Sequence, residues 1–142
     1  MAWKSYSTTG TANIDQTAQK LVLNAKKRNR DSLNQGFKMR ENVAYGLERF
    51  WGEHLRLQIR ETEKSLYWKE TWDALVEIMS NAGIPVPNNT VDVNDTPAVE
   101  EMAHQLWQIS REDQRLILAV LSQLCDAIVW WTQRYKGTSS ST

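Results

Sequence analysis

The chain has 142 residues, with 17 Lys/Arg against 17 Asp/Glu, two His and one Cys; 41% are hydrophobic and 24% charged. That profile is ordinary for one globular domain with a modest core. No run approaches about 18 consecutive apolar residues, MAWKSYSTTGTAN lacks the apolar core of a secretory signal, and a lone cysteine forms no intrachain disulfide, so the expectation is a cytoplasmic protein with no membrane role.

Residues 1–12 are small and polar and read as a mobile N-terminal arm carrying Trp3 and Tyr6 as potential anchors. Asn13 or Asp15 is placed to cap a first helix with the stripe Ile14, Ala18, Leu21, Val22 and Ala25. KKRNR (26–30) follows, and Gly36 ends the segment. A second helix is predicted over roughly 37–62. Its stripe is Met39, Val43, Leu47, Phe50, His54 and Leu57, with Gly46 and Gly52 inside it and a kink near Gly52. A third, about 65–81, carries Trp68, Trp72, Leu75, Val76 and Met79 and stops at Gly83. The Pro/Asn-rich connector IPVPNNTVDVNDT (84–96) argues against helix, and its Val91/Val93 alternation admits a short strand. Thr96-Pro97 reads as an N-cap and first helical turn for a helix to about Gln108. Ser110 to Asp113 resembles a capping box for a last helix ending at Gly137, before a disordered tail at 138–142. The prediction is all-α: a compact bundle of about five helices forming a single domain over 13–137.

The zero net charge hides a polarity. Residues 1–71 hold 13 Lys/Arg and 8 Asp/Glu, a net of +5, and residues 72–142 hold 4 and 9, a net of −5. Residues 20–40 carry seven basic groups against Asp31 alone, and residues 73–113 carry eight acidic groups against Arg111 alone. Such a split implies either an anion-binding half or complementary surfaces that attract copies of the same chain.

Catalytic constellations are missing. Glu101-x-x-His104 has the spacing of carboxylate-bridged di-metal bundles, but no second pair accompanies it, so no metal and no cofactor are expected. His54 lies on an apolar stripe and reads as a satisfied core histidine. Cys125, among Leu124, Ile128 and Val129, reads as a buried, inert thiol. There is no Gly-rich phosphate loop and no nucleophile with a base, which argues against an enzyme.

The basic residues carry the functional signal. With a turn of about 100° per residue, Lys38, Arg49, Arg56 and Arg60 fall along one edge of the second helix, beside Tyr45, with Glu53 intruding. On a continuous helix they span about 33 Å, enough to follow several phosphates of a nucleic-acid backbone without reading its sequence. Candidate phosphate contacts are therefore Lys26, Lys27, Arg28, Arg30, Lys38, Arg49, Arg56 and Arg60. Pairing with the acidic half of another copy is the competing explanation.

In the last helix Ile117, Val120, Leu121, Leu124, Ile128, Trp131 and Tyr135 share one face, making Trp131 a core residue. Trp130 falls on the back with Asp126 and Arg134. It is either buried against a neighbour or exposed as an anchor for a partner. Residues 106–137, LWQISREDQRLILAVLSQLCDAIVWWTQRYKG, have a short helix, a start at Ser110 and Glu112, a long apolar helix with Ala127 and Trp131, and a basic end at Arg134 and Lys136. This segment resembles the C-terminal helix of the small subunits of type III CRISPR ribonucleoprotein effector complexes. The resemblance implies a non-catalytic subunit in antiviral defence. It would stack head to tail with copies of itself, brace the other subunits, and contact the guide and target RNA (or DNA) backbone. The alternative is a helical protein–protein adaptor or inhibitor without nucleic-acid binding, anchored through Trp130, Arg134, Trp3 and Tyr6.

Overall fold

The structure is a computed structural model that describes residues 12–140, with side chains over 14–136. The proposed arm with Trp3 and Tyr6 lies outside the described residues. The fold is all-α: α1 (Ala12–Arg28), α2 (Gln35–Asn42), α3 (Leu47–Leu57), α4 (Thr62–Asn81), α5 (Thr96–Trp107) and α6 (Arg111–Ser140), with 3-10 turns at Arg30–Asn34 and Val43–Tyr45. There are thus six α-helices among the described residues, against about five expected.

The extra helix comes from Gly46. The long second helix is broken there, at φ 97°, a left-handed conformation that side chains disfavour. Gly52, the expected kink, lies inside α3. All six residues of the predicted stripe are nonetheless buried, because the 3-10 turn and Gly46 redirect the chain while keeping those residues turned inward. The opposite edge does not survive as one stripe: Lys38 is on α2, Arg49 and Arg56 on α3, and Arg60 beyond its end.

Helix ends follow local chemistry with small shifts. The α4 terminus is a Schellman cap: Gly83, at φ 83°, donates its N–H to Ser80 O and Ile84 donates to Met79 O. Asp95, one residue before the expected Thr96, caps α5 by accepting from Ala98 N at 3.2 Å. Ser110 Oγ accepts from Asp113 N at 3.1 Å, as its capping pattern predicts. Asn13 and Asp15 both lie within α1 rather than before it, and α6 continues to Ser140, past Gly137. The connector forms no strand. Trp72 Nε1 donates to Pro87 O at 3.2 Å and Gln58 Oε1 accepts from Val93 N at 3.0 Å, so neighbouring helices satisfy its backbone.

Two packed units meet in one core. The pair α3 and α4 closes around Phe50, whose ring lies 4.9 Å from Trp68 and 6.4 Å from Trp72. The second unit is α6 with α1 and α2, and α5 sits mainly on α3. By length and composition Arg111–Lys136 is apolar enough to cross a membrane; here Ile117, Leu121, Leu124, Cys125 and Ile128 form part of the core.

Gly36 joins these units. It does not end a segment: it is the second residue of α2 and is buried. A Cβ there would lie 3.0 Å from Ile128 Cγ2, 3.1 Å from Thr132 Oγ1 and 3.7 Å from the Tyr67 hydroxyl, bringing α2, α4 and α6 together. Asn34 with Lys136 and Arg40 with Asp126 show that α2 runs antiparallel to α6. Both close neighbours on α6 are fully buried and have no room to retreat. Gly36→Ala is therefore expected to lower stability by about 1 kcal/mol and Gly36→Val by 2 kcal/mol or more. A urea midpoint that rises for the alanine variant, as helix propensity alone requires, refutes the close approach.

Candidate nucleic-acid interface

The C-terminal part of α6 gathers cations and rings from three elements. The Trp131 and Tyr135 rings stack at 5.8 Å and 17°. The Lys26 ammonium, from the last turn of α1, lies over Tyr135 at 5.6 Å, and Gln19 donates to the Tyr135 hydroxyl at 3.0 Å. Lys136 lies 5.6 Å from the Phe37 ring centroid on α2 and donates to Asn34 Oδ1 at 2.5 Å. The Arg134 guanidinium sits 5.6 Å from Trp130 and 5.7 Å from Trp131, and the two indoles meet edge to face at 4.9 Å. Such cation–ring contacts hold both members in place while leaving the charge outward.

Trp130 is 54% exposed, which settles its two sequence-level alternatives against burial. Trp131, predicted as core, is half-buried and packs against the core, with Tyr135 beside it. The residue that completes the α6 core is Thr132, fully buried, whose hydroxyl returns to Ile128 O at 2.7 Å. The small residue is required because α2 approaches at Gly36. Thr132 borders the apolar stripe on the side away from Trp131, and its polarity hid it from a pattern of apolar residues.

The predicted phosphate contacts separate into two groups. Lys27 and Arg30 are exposed beside Lys26 at the end of α1, whereas Arg28 turns inward and binds both carboxylate oxygens of Glu70 at 3.0–3.1 Å. In the second group Arg56 is paired with Glu53, which raises its pKa. Lys64 bonds Glu61 at 2.7 Å, and that contact, then Arg56 and Lys38, holds the Glu61 carboxyl below its usual range. The structure thus brings Lys38 and Arg56 toward each other despite the break at Gly46, but around acidic partners. Arg49 lies over the exposed Tyr45 ring at 5.6 Å, and Arg60 is exposed in the turn after α3. Lys136, Tyr135 and Phe37 were not among the candidates, because only the tertiary fold places α6 beside α1 and α2.

No matching family model, curated protein or solved structure was found for the chain.

Among the described residues no three His, Cys, Asp or Glu side chains stand close enough to hold a metal ion. His104 is exposed, and Glu101 accepts from Gln105 at 3.0 Å. Cys125 is fully buried, and burial pushes its thiol up to about 12, which suppresses the reactive thiolate. His54 is 4% exposed. Its Nδ1 lies 2.6 Å from Trp51 O, and because a carbonyl only accepts, Nδ1 carries the proton. Burial lowers the pKa of His54 below 6.5, so the native state holds the ring neutral.

The sign of the consequence follows. Below pH 6.5 the unfolded chain takes up a proton at this position that the folded chain does not, so stability falls on acidification until the lowered folded pKa is reached. The limiting slope is about 1.4 kcal/mol per pH unit. His54→Asn keeps an N–H donor near Trp51 O and should flatten the stability profile between pH 7.5 and 5.5, measured by urea unfolding; an unchanged profile removes His54 as its source.

Proposed function

We propose that this chain is a non-catalytic structural subunit that holds the phosphate backbone of a nucleic acid within a ribonucleoprotein assembly. The likeness of residues 106–137 to type III CRISPR small subunits fits the same role in an RNA-guided antiviral complex. One observation carries the proposal: basic side chains from the end of α1 and the end of α6 are each laid over an aromatic ring beside the C-terminal part of α6. Lys26 and Lys136 are positioned there by rings and an amide oxygen rather than by carboxylates. Residues 16–30 and 127–142 contain no Asp or Glu at all. A polyanion therefore meets concentrated positive charge, with Glu70 and Asp31 as the carboxylates nearest along the α1 end.

The opposite charge lies elsewhere. On α5, Glu100, Glu101 and His104 are exposed beside Trp107. An acidic face on one copy and a basic face on the next are what head-to-tail stacking requires, since such contacts join two different patches. A second reading, a protein–protein adaptor or inhibitor, draws support from Trp107, which at 68% exposure is an unusual surface residue unless a protein covers it.

The test is fluorescence anisotropy of a labelled RNA across a salt series. Each phosphate contact contributes about 0.7–0.9 to the slope of log affinity against log salt. The triple variant Lys27→Ala, Arg30→Ala, Lys136→Ala should bind more weakly, with a slope shallower by about 2. An unchanged slope, or no binding by the parent chain, defeats the proposal and favours the adaptor.

A further inference from the structure

The α6 surface offers more than charge, and what it adds distinguishes one form of nucleic acid from another. Trp130 exposes 54% of its surface at the edge of a run of rings and cations: Trp130 against Trp131, Trp131 stacked on Tyr135, Lys26 over Tyr135, and Arg134 over both indoles. A phosphate-tracking surface needs none of these rings. Duplex backbones present sugar and phosphate outward and keep their base faces stacked inside, so an exposed indole gains little from them. A single strand presents both a π-face and a phosphate in each nucleotide. Aromatic side chains interleaved with cations are the arrangement that binds it without reading sequence.

We propose that Trp130 is a base-stacking platform and that the surface it shares with Arg134 and, through Trp131 and Tyr135, with Lys26 binds single-stranded nucleic acid in preference to duplex. This rests on the backbone-binding role proposed above. The indole is already held: its edge-to-face contact with Trp131 and the Arg134 guanidinium limit its rotamers, so a stacking base orders little that is not already ordered. The surroundings favour this occupant over an apolar protein surface. From Ala127 onward the segment carries Arg134 and Lys136 and no carboxylate, and Asp126, one turn before Trp130, is bonded to Arg40 at 2.5 Å.

The experiment compares labelled strands of about ten nucleotides: an oligouridylate, an abasic sugar-phosphate strand of the same length, and a duplex. The expected order is oligouridylate tightest, with the other two sharing a similar, strongly salt-dependent weaker affinity. Trp130→Leu keeps an apolar side chain against Trp131 but removes the π-face. It should lose about 5- to 150-fold on oligouridylate, nothing on the abasic strand, and little in urea midpoint. Trp130→Phe should retain most of the binding. Equal affinity of the parent chain for all strands overturns the stacking platform while leaving backbone binding in place. Binding to none of them overturns both. A Trp130→Leu variant that matches the parent on oligouridylate also overturns it and makes Trp130 an anchor for a protein.

Discussion

The approach of α2 to α6 at Gly36 organises the rest of the molecule. With hydrogen in place of a side chain, the α2 backbone reaches Ile128, Thr132 and the Tyr67 hydroxyl together. That contact calls for a small residue at Thr132, which is fully buried, while Trp131 is only half-buried beside the core. It also sets α2 antiparallel along α6, which delivers Phe37 and Asn34 to Lys136. The Lys136 end of the basic surface thus derives from the same packing constraint.

Around that contact the protein keeps charge and core apart by economical means. Several buried polar groups have partners: Trp68 Nε1 in Gln35 at 2.8 Å, His54 in Trp51 O, and Ser65 in His54 O at 2.6 Å. Several surface cations are held by carboxylates, such as Arg56 by Glu53 and Lys64 by Glu61, and exposed pairs of this kind contribute little to stability. Lys26 and Lys136 are instead laid over rings, which fixes their position without a carboxylate among those contacts. This difference separates the α6 surface from the basic group around Glu61.

The apolar periodicity was legible along α1 and the broken second helix. Ile14, Ala18, Leu21, Val22 and Ala25 of α1 are all buried, and so are Met39 through Leu57 of the broken second helix. Gly46 was visible as a weak point, but a glycine inside a helical pattern has two outcomes. Gly52 stays helical and Gly46 takes φ 97°, and the choice depends on whether the chain must turn there to bury Phe50 against Trp68. The candidate site was partly legible. Lys26, Lys27 and Arg30 stand out as a basic run, and Trp130 as a residue off the core face. Arg28 could not be told from its neighbours, since its partner Glu70 is 42 residues away on α4.

The sequence by itself determined the all-α class, the inward faces of the first helices, the helix ends at Asn81, Thr96, Trp107 and Arg111, and the polarity of charge along the chain. Each of these is set by neighbours within about one or two helical turns. Tertiary structure decided the break at Gly46, the inward turn of Arg28, the exposure of Trp130 and the meeting of Lys26, Tyr135, Lys136 and Phe37. These depend on pairs far apart in the chain, 102 residues for Asn34 with Lys136 and 116 for Gln19 with Tyr135. No local periodicity encodes which helices will lie side by side.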